Sequence, residues 1–499
     1  MRALALILLG FLLAALFVWM VGGWKKDGTR WVATWAVLTT LAFFCVDFIV
    51  FAVILAIACA MLAKRAPDRV AALYAMLLPM LPTYTYYIPG ILGINAIFPL
   101  NYVRVLALAL LLPAYISLRR TGALQDSRAM RNGLDAIFVA YVLWYCFLAV
   151  YHKVTVTDSM RVSVEMLLFT LIPYLAVSRL LRTREQINDL ISAVAFSGLV
   201  VSAMCVIEMM TNSHPYQVLP YRLDMEMLSG FSYQTQFRFG MIRAQGTFDG
   251  GLGLYAVFAL GALLCKAQVE KMPRWRLWLG MAILAIPIIS TGSRGTWIIT
   301  GMMLATRFGF WFIRTPARFV TVLTLVMVLI PRAQDAFITH ADDQFGTFDY
   351  REQLLDTFVP VVWEAPIAGQ QSLLALYATG RFNYLVQGEG IIDMVNTYLG
   401  EALVHGIPGL IFFAGIFLFS VLTPLRQMKR ASPEEAGLDY PIVMWICSLM
   451  PAAAFLLVTT SLVGHMWPYI SLVAGVSSAL AALGESRSFL FSPAPATPG

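Results

Sequence analysis

Three stretches of this sequence set charged residues beside glycine in otherwise apolar surroundings, and each has a chemical use. Charge at membrane depth is costly, so an ionisable residue there marks function by default. In Arg243-Ala-Gln-Gly-Thr-Phe-Asp249, with Arg238 upstream, arginine precedes a long apolar run. Such an arginine either snorkels toward lipid headgroups or clamps a phosphate through two parallel N–H donors. In Thr291-Gly-Ser-Arg294-Gly-Thr-Trp297 the glycines permit a tight link between two apolar runs. Arg294 then either caps a Gly-Ser turn or joins the start of a helix, whose N-terminus already favours anions such as pyrophosphate. In Gly388-Glu-Gly-Ile-Ile-Asp393-Met-Val-Asn396 a carboxylate opens the next apolar run. Asp393 is either a helix N-cap or a base at the membrane surface facing the two arginine sites, with Glu389 as the second candidate.

Other chemistry-bearing types are scattered. The five His, at 152, 214, 340, 405 and 465, show no zinc-ligand spacing, and no metal site is expected. Glu401 and His405 stand four residues apart on one helix face and read as a buried polar contact. The six Cys lie in or beside apolar runs and read as small hydrophobes. No phosphate-binding P-loop and no GxSxG nucleophile elbow occurs.

The elements that must position these residues are membrane helices. Of 499 residues, 60% are apolar and 13% charged, about half the charged share of a soluble domain. Continuous apolar runs of spanning length recur from Ala3 to Leu483, without the alternation of a barrel strand. The expected fold is therefore one all-α polytopic membrane domain over 1–499, with about 12 to 14 transmembrane helices. Spans are expected near 104–117, 134–151, 161–178, 189–210, 250–266, 277–292, 296–313, 318–331, 393–422, 440–462 and 467–484. The run from Ala3 to Trp24 reads as a retained helix, since no small-residue cleavage site precedes Lys25. Residues 31–62, apolar except for Asp47, look too long for one span and too short for two with a turn. The aromatic, Pro-rich stretch Leu78–Arg104 reads as interfacial or re-entrant.

The net charge of +7 follows loop alternation, and nucleic acid is not an expected partner. Arg119, Arg120, Arg128 and Arg131 share a side with the clusters at Arg179–Arg184, Lys266–Arg276, Arg314–Arg318 and Arg426–Arg430, which makes that side cytoplasmic. The opposite side holds long loops over about 211–249 and 332–392, the second acidic and long enough to imply a function. No internal repeat of the kind found in many transporters is present.

Taken together, the three stretches resemble the superfamily of O-antigen ligases and Wzy-type polysaccharide polymerases. The resemblance lies in the RxQGTF segment at Arg243, the SRG turn at Arg294 and a large loop before a late helix. Within that loop, Tyr350-Arg351 followed by Trp363-Glu-Ala-Pro-Ile-Ala-Gly369 is similar to the family's pattern of Arg, Trp, Pro and Gly. Asn396-Thr-Tyr-Leu399 and Gly406-Ile-Pro-Gly409 are similar to the helix that follows it. The match covers roughly 190–420. O-antigen ligases carry a His immediately before that Asn, where this chain has Val395. The segment GEGIIDMVNTYL, with an Asp ahead of the Asn, is closer to exopolysaccharide polymerases of the xanthan or sphingan kind. The aromatic segment ending at Asn101-Tyr-Val-Arg104 is similar to those polymerases as well.

The resemblance implies polymerisation of undecaprenyl-pyrophosphate-linked oligosaccharide repeats into exopolysaccharide, in the bacterial inner membrane at its periplasmic face. It implies pyrophosphate binding by Arg243 and Arg294, backed by Arg238 and Arg351, and a base at Asp393 or Glu389. No cofactor is implied, because the donor already carries the energy. Partners would be membrane lipids, a flippase and a chain-length regulator (polysaccharide co-polymerase). A ligase passing glycan to lipid A core, or a lipid-linked glycan flippase, are the alternatives.

Overall fold

The computed structural model describes the chain except residues 1, 23–27, 90–95, 121–131, 153–154, 226–236, 239–240, 249–250, 310–346, 371–372, 387–391, 431–432, 463–464 and 489–499. The expected span at 318–331 and Glu389 lie outside the described residues, and so does the Arg238 side chain. Among the described residues, ten helices are long and apolar enough to cross a membrane, and the chain is a multi-pass membrane protein.

In chain order the bundle begins with α1 (Arg2–Val21), α2 (Gly28–Phe44), α3 (Phe48–Arg65) and the short α4 (Val70–Leu77). Strands β1 (Thr85–Pro89) and β2 (Ala96–Asn101) follow, then α5 (Tyr102–Arg120), α6 (Gly133–His152), α7 (Val156–Leu180) and α8 (Arg184–Thr211). A second hairpin pairs β3 (Phe237–Arg238) with β4 (Met241–Ile242). After it come α9 (Leu252–Val269), α10 (Arg274–Ser290) and α11 (Arg294–Gly309). The large loop contributes α12 (Thr347–Glu364) and the short α13 (Leu373–Ala378). Last are α14 (Thr397–Arg430), α15 (Pro433–Leu456) and α16 (Met466–Ser488).

The stretch 31–62 does make two helices, contrary to expectation. Both extend beyond it, α2 starting at Gly28 and α3 ending at Arg65, and only Cys45–Asp47 separate them. Asp47 makes so short a turn workable, because its side chain accepts from Ile49 N and caps α3. Leu78–Arg104 forms the antiparallel hairpin β1–β2, with Thr85 opposite Asn101, and Asn101 then caps α5.

Two further expected spans differ at the functional end. The helix expected over 440–462 ends at Leu456, leaving 457–462 as turn, bend and irregular chain. The helix expected from Asp393 begins at Thr397 and breaks at Gly406, where φ is +68°. That break is a reversal. The rings of Tyr398 and Phe413 lie 5.4 Å apart, whereas a straight helix would separate these positions by about 22 Å. Glu401 and His405 contact Tyr141 and Tyr145 in the same order along α6. Gly409, Gly415 and the neighbourhood of Phe419 pair with Trp144, Ile137 and Gly133 in the opposite order. The limb 397–405 thus runs against the limb 407–430, and its N-terminus points back into the bundle.

Many basic residues gather at one end. Arg184 pairs with Asp439 at 2.5 Å, joining the starts of α8 and α15. Arg307 Nη2 donates to Leu264 O at 2.9 Å. Buried Arg179 pairs with Asp135 at 3.0 Å. The candidate site lies toward the other ends of these helices.

Candidate functional site

The Arg243 stretch is pinned by its own backbone. Ala244 N donates to Ser290 O at 3.0 Å. Gln245 N and Gly246 N both donate to the buried Glu208 carboxylate, at 2.8 and 2.9 Å. Gly246 has φ +59°, which explains the glycine there. Thr247 Oγ1 donates to Pro79 O, and the Phe248 ring packs 4.8 Å from both Tyr255 and His465. Glu208, in the last turn of the apolar helix α8, is thus the anchor of this segment. Half-buried Arg243 stands at its start.

The bond from Ala244 to Ser290 sets that segment against the end of α10, four residues before Arg294. Gly292 has φ +57°, and Ser293 N donates to Thr291 Oγ1 at 3.4 Å. Arg294 is the first residue of α11, as the sequence indicated, and its side chain is exposed. Among the described residues no carboxylate pairs with it. A Cβ at Gly253 would overlap the buried Thr296, which is how α9 and α11 approach closely enough to hold the turn.

The linker after α15 gathers the remaining groups. Thr397 N donates to Leu457 O at 2.9 Å, and Thr397 Oγ1 to Thr460 O at 2.7 Å. Arg351 Nη2 reaches Thr459 O at 3.4 Å. A Cβ at Gly295, beside Arg294, would fall 3.4 Å from Thr459 Oγ1. Ser461 Oγ lies 2.7 Å from Met394 O and 3.3 Å from Asp393 Oδ1. A hydroxyl has one proton to donate, and the shorter contact, to Met394 O, takes it. The linker therefore joins the Arg294 turn, Arg351 and Asp393, which lie far apart in sequence.

Asp393 does not cap the helix it precedes, and it does not open one. Residues 392–396 form no helix, with Val395 N donating to Asp393 O at 2.9 Å in a tight turn, and Asn396 Oδ1 accepts from Leu399 N at 3.1 Å as the N-cap. Tyr350 OH donates to Asp393 O at 3.0 Å. Burial, reinforced by the neighbouring Asp393 charge, pushes the Tyr350 phenol up to about 12, so it remains a donor at neutral pH. The first limb of α14 directs its N-terminal dipole to the same place, adding positive potential to that of the arginines.

The turn at Gly406 fixes the other end of this limb. Ile407 N donates to Pro366 O at 2.8 Å, and Gln370 N to Leu403 O at 2.6 Å. A Cβ at Gly406 would overlap the Ile367 carbonyl. His405 Nδ1 lies 2.8 Å from Glu401 Oε2, the buried polar contact expected of that pair, and Tyr141 OH donates to the same carboxylate at 3.2 Å. Trp144 Nε1 donates to His405 O at 2.8 Å, taking up a carbonyl that the break exposes.

Of the expected site residues, Arg351, Asp393 and the turn that carries Arg294 meet one linker, and the Arg243 segment adjoins them through Ser290. Arg238 is placed only by its backbone in β3, and Glu389 lies outside the described residues. Thr459 and Ser461 were missed, because the apolar run around them reads as the end of a span. The polar run Thr459-Thr460-Ser461 was the available signal. The chain matches no protein-family model and no curated protein, so these positions carry the functional reading by themselves.

Proposed function

We propose that the protein is an exopolysaccharide polymerase of the bacterial inner membrane, acting on undecaprenyl-pyrophosphate-linked oligosaccharides at the periplasmic face. The observation that carries this reading is the convergence of Arg351, the Arg294 turn and Asp393 on the linker 457–461. It joins cations suited to a pyrophosphate with one carboxylate suited to a hydroxyl proton. The basic end of the bundle is then cytoplasmic, and the site faces the periplasm.

In the reaction, a hydroxyl oxygen of the incoming repeat attacks the anomeric carbon of the lipid-linked chain. The bond from that carbon to the pyrophosphate oxygen breaks, and the electron pair leaves with the lipid pyrophosphate. Arg294 and Arg243 stabilise the charge gathering on the leaving group, where preorganised donors act most strongly. Arg351, held by the linker, supports them. Asp393 takes the acceptor proton. The donor supplies the energy, so the reading requires no cofactor.

A glycan gel of a deletion strain tests this against its neighbours. Loss of a polymerase leaves single repeats on the carrier. Undecorated lipid A beside intact polymer would mark a ligase, and loss of polymer without single repeats would mark a flippase. A flippase and a chain-length regulator are the protein partners of this reading.

A further inference from the structure

We infer that α12 seats one face in the acyl region of the bilayer, so that part of the large loop is a membrane-embedded wall of the site. This inference rests on the surface of α12 and is independent of the polymerase reading. Leu354, Phe358, Val361 and Val362 face the protein and are buried. Directly beside that face runs a second apolar stripe, Leu355, Val359 and Trp363, continued by Ile367, with 44%, 44%, 65% and 68% of their surfaces exposed. At 3.6 residues per turn Leu355, Val359 and Trp363 form one slowly drifting row, and Ile367 follows just past the helix end. Asp356, Gln353 and Glu364, also exposed, lie on the neighbouring arc, and exposed Glu352 lies in line with the stripe but one turn earlier, at the helix start. From Leu355 onward the helix therefore has an apolar arc wider than its protein contact, bordered by a polar arc, the pattern of a helix at a membrane interface.

The exposed stripe is continuous with a surface that already faces lipid. Leu143, Phe147, Val150 and Tyr151 form an exposed apolar row along α6, a membrane-spanning helix. The end of α6 is joined to the loop by His152 Nε2, 2.8 Å from Ala368 O, next to Ile367. The two apolar surfaces meet there. Acyl chains are the occupant that covers both without a separate partner, and the charged arc then turns toward water. Tyr350 and Arg351, at the start of α12, carry this wall down to Asp393 and the linker.

The test places a nitroxide on the full-length protein in lipid nanodiscs, with Cys45 and Cys146 replaced by Ala. Leu355→Cys, Val359→Cys and Trp363→Cys report the stripe, and Gln353→Cys and Asp356→Cys report the charged arc. Power saturation is measured with oxygen, which concentrates in acyl chains, and with a water-soluble nickel chelate. The stripe should respond to oxygen and not to nickel, and the charged arc the reverse. Nickel access at the stripe equal to that at Asp356 would overturn the inference. Stripe positions closed to both reagents would overturn it as well, since a protein partner or second copy would then cover them. Each stripe position reads independently, so one variant that fails to assemble leaves the result intact.

Discussion

Ser461 Oγ lies 3.3 Å from Asp393 Oδ1, joining the linker after α15 to the segment before α14. That relationship gives Asp393 a position in the site that is separate from any role in helix capping. Asp393→Asn should therefore abolish elongation while leaving membrane insertion and thermal stability within about 0.5 kcal/mol of the parent. The control is Asn396→Ala, which removes the observed N-cap and should cost about 1 kcal/mol. Elongation assays paired with thermal unfolding in detergent separate the two. Normal polymer from Asp393→Asn would remove it as the base.

Arg294 needs its fork as well as its charge. Arg294→Lys keeps the positive charge but loses the two parallel donors. Its side chain is exposed at the start of α11, so folding should be unchanged. Polymer yield should fall at least about tenfold, equivalent to roughly 1.4 kcal/mol in the transition state. Yield close to the parent's would exclude the pyrophosphate role.

The reversal at Gly406 can be tested through stability alone. Gly406→Ala must tolerate φ +68° and an overlap with the Ile367 carbonyl, and should destabilise by about 1–3 kcal/mol or more. Gly437→Ala, exposed on α15 with nothing within 4 Å, should be neutral or raise stability by up to about 1 kcal/mol. Equal melting temperatures for the two variants would contradict the broken helix.

Topology has its own readout. A Cys at exposed Asn383, in the large loop, should react with a membrane-impermeant thiol reagent in intact spheroplasts. A Cys at exposed Glu434, at the basic end, should react only after the membrane is opened. The opposite pattern would invert the assignment of faces.

The sequence made legible those features that local chemistry decides. The Gly292 turn followed by Arg294 at a helix start follows from glycine's freedom at positive φ and the preference of polar residues for chain reversals. The Glu401–His405 contact follows from helical spacing. Continuous apolar length located most spans. It failed where an apolar run was broken by tertiary contact. Gly406-Ile-Pro408 sits in a run that reads as one span, and the reversal depends on Pro366 and Ile367, remote in sequence, to occupy the broken turn. Residues 457–462 continue the apolar run of α15 through a short polar stretch, and their carbonyls are taken by Thr397 and Arg351 from elsewhere. Asp393 was misjudged as a helix opener because two cap-forming residues occur close together, and Asn396 took the cap.

The most direct test of the central claim is elongation in vitro by purified full-length protein in nanodiscs, supplied with a purified lipid-pyrophosphate-linked repeat from the producing strain. The account predicts a ladder of products lengthened by whole repeats, with release of undecaprenyl pyrophosphate, from the parent protein and none from Asp393→Asn. A folded parent that binds the lipid-linked repeat without lengthening it, or an equal ladder from both proteins, would contradict it.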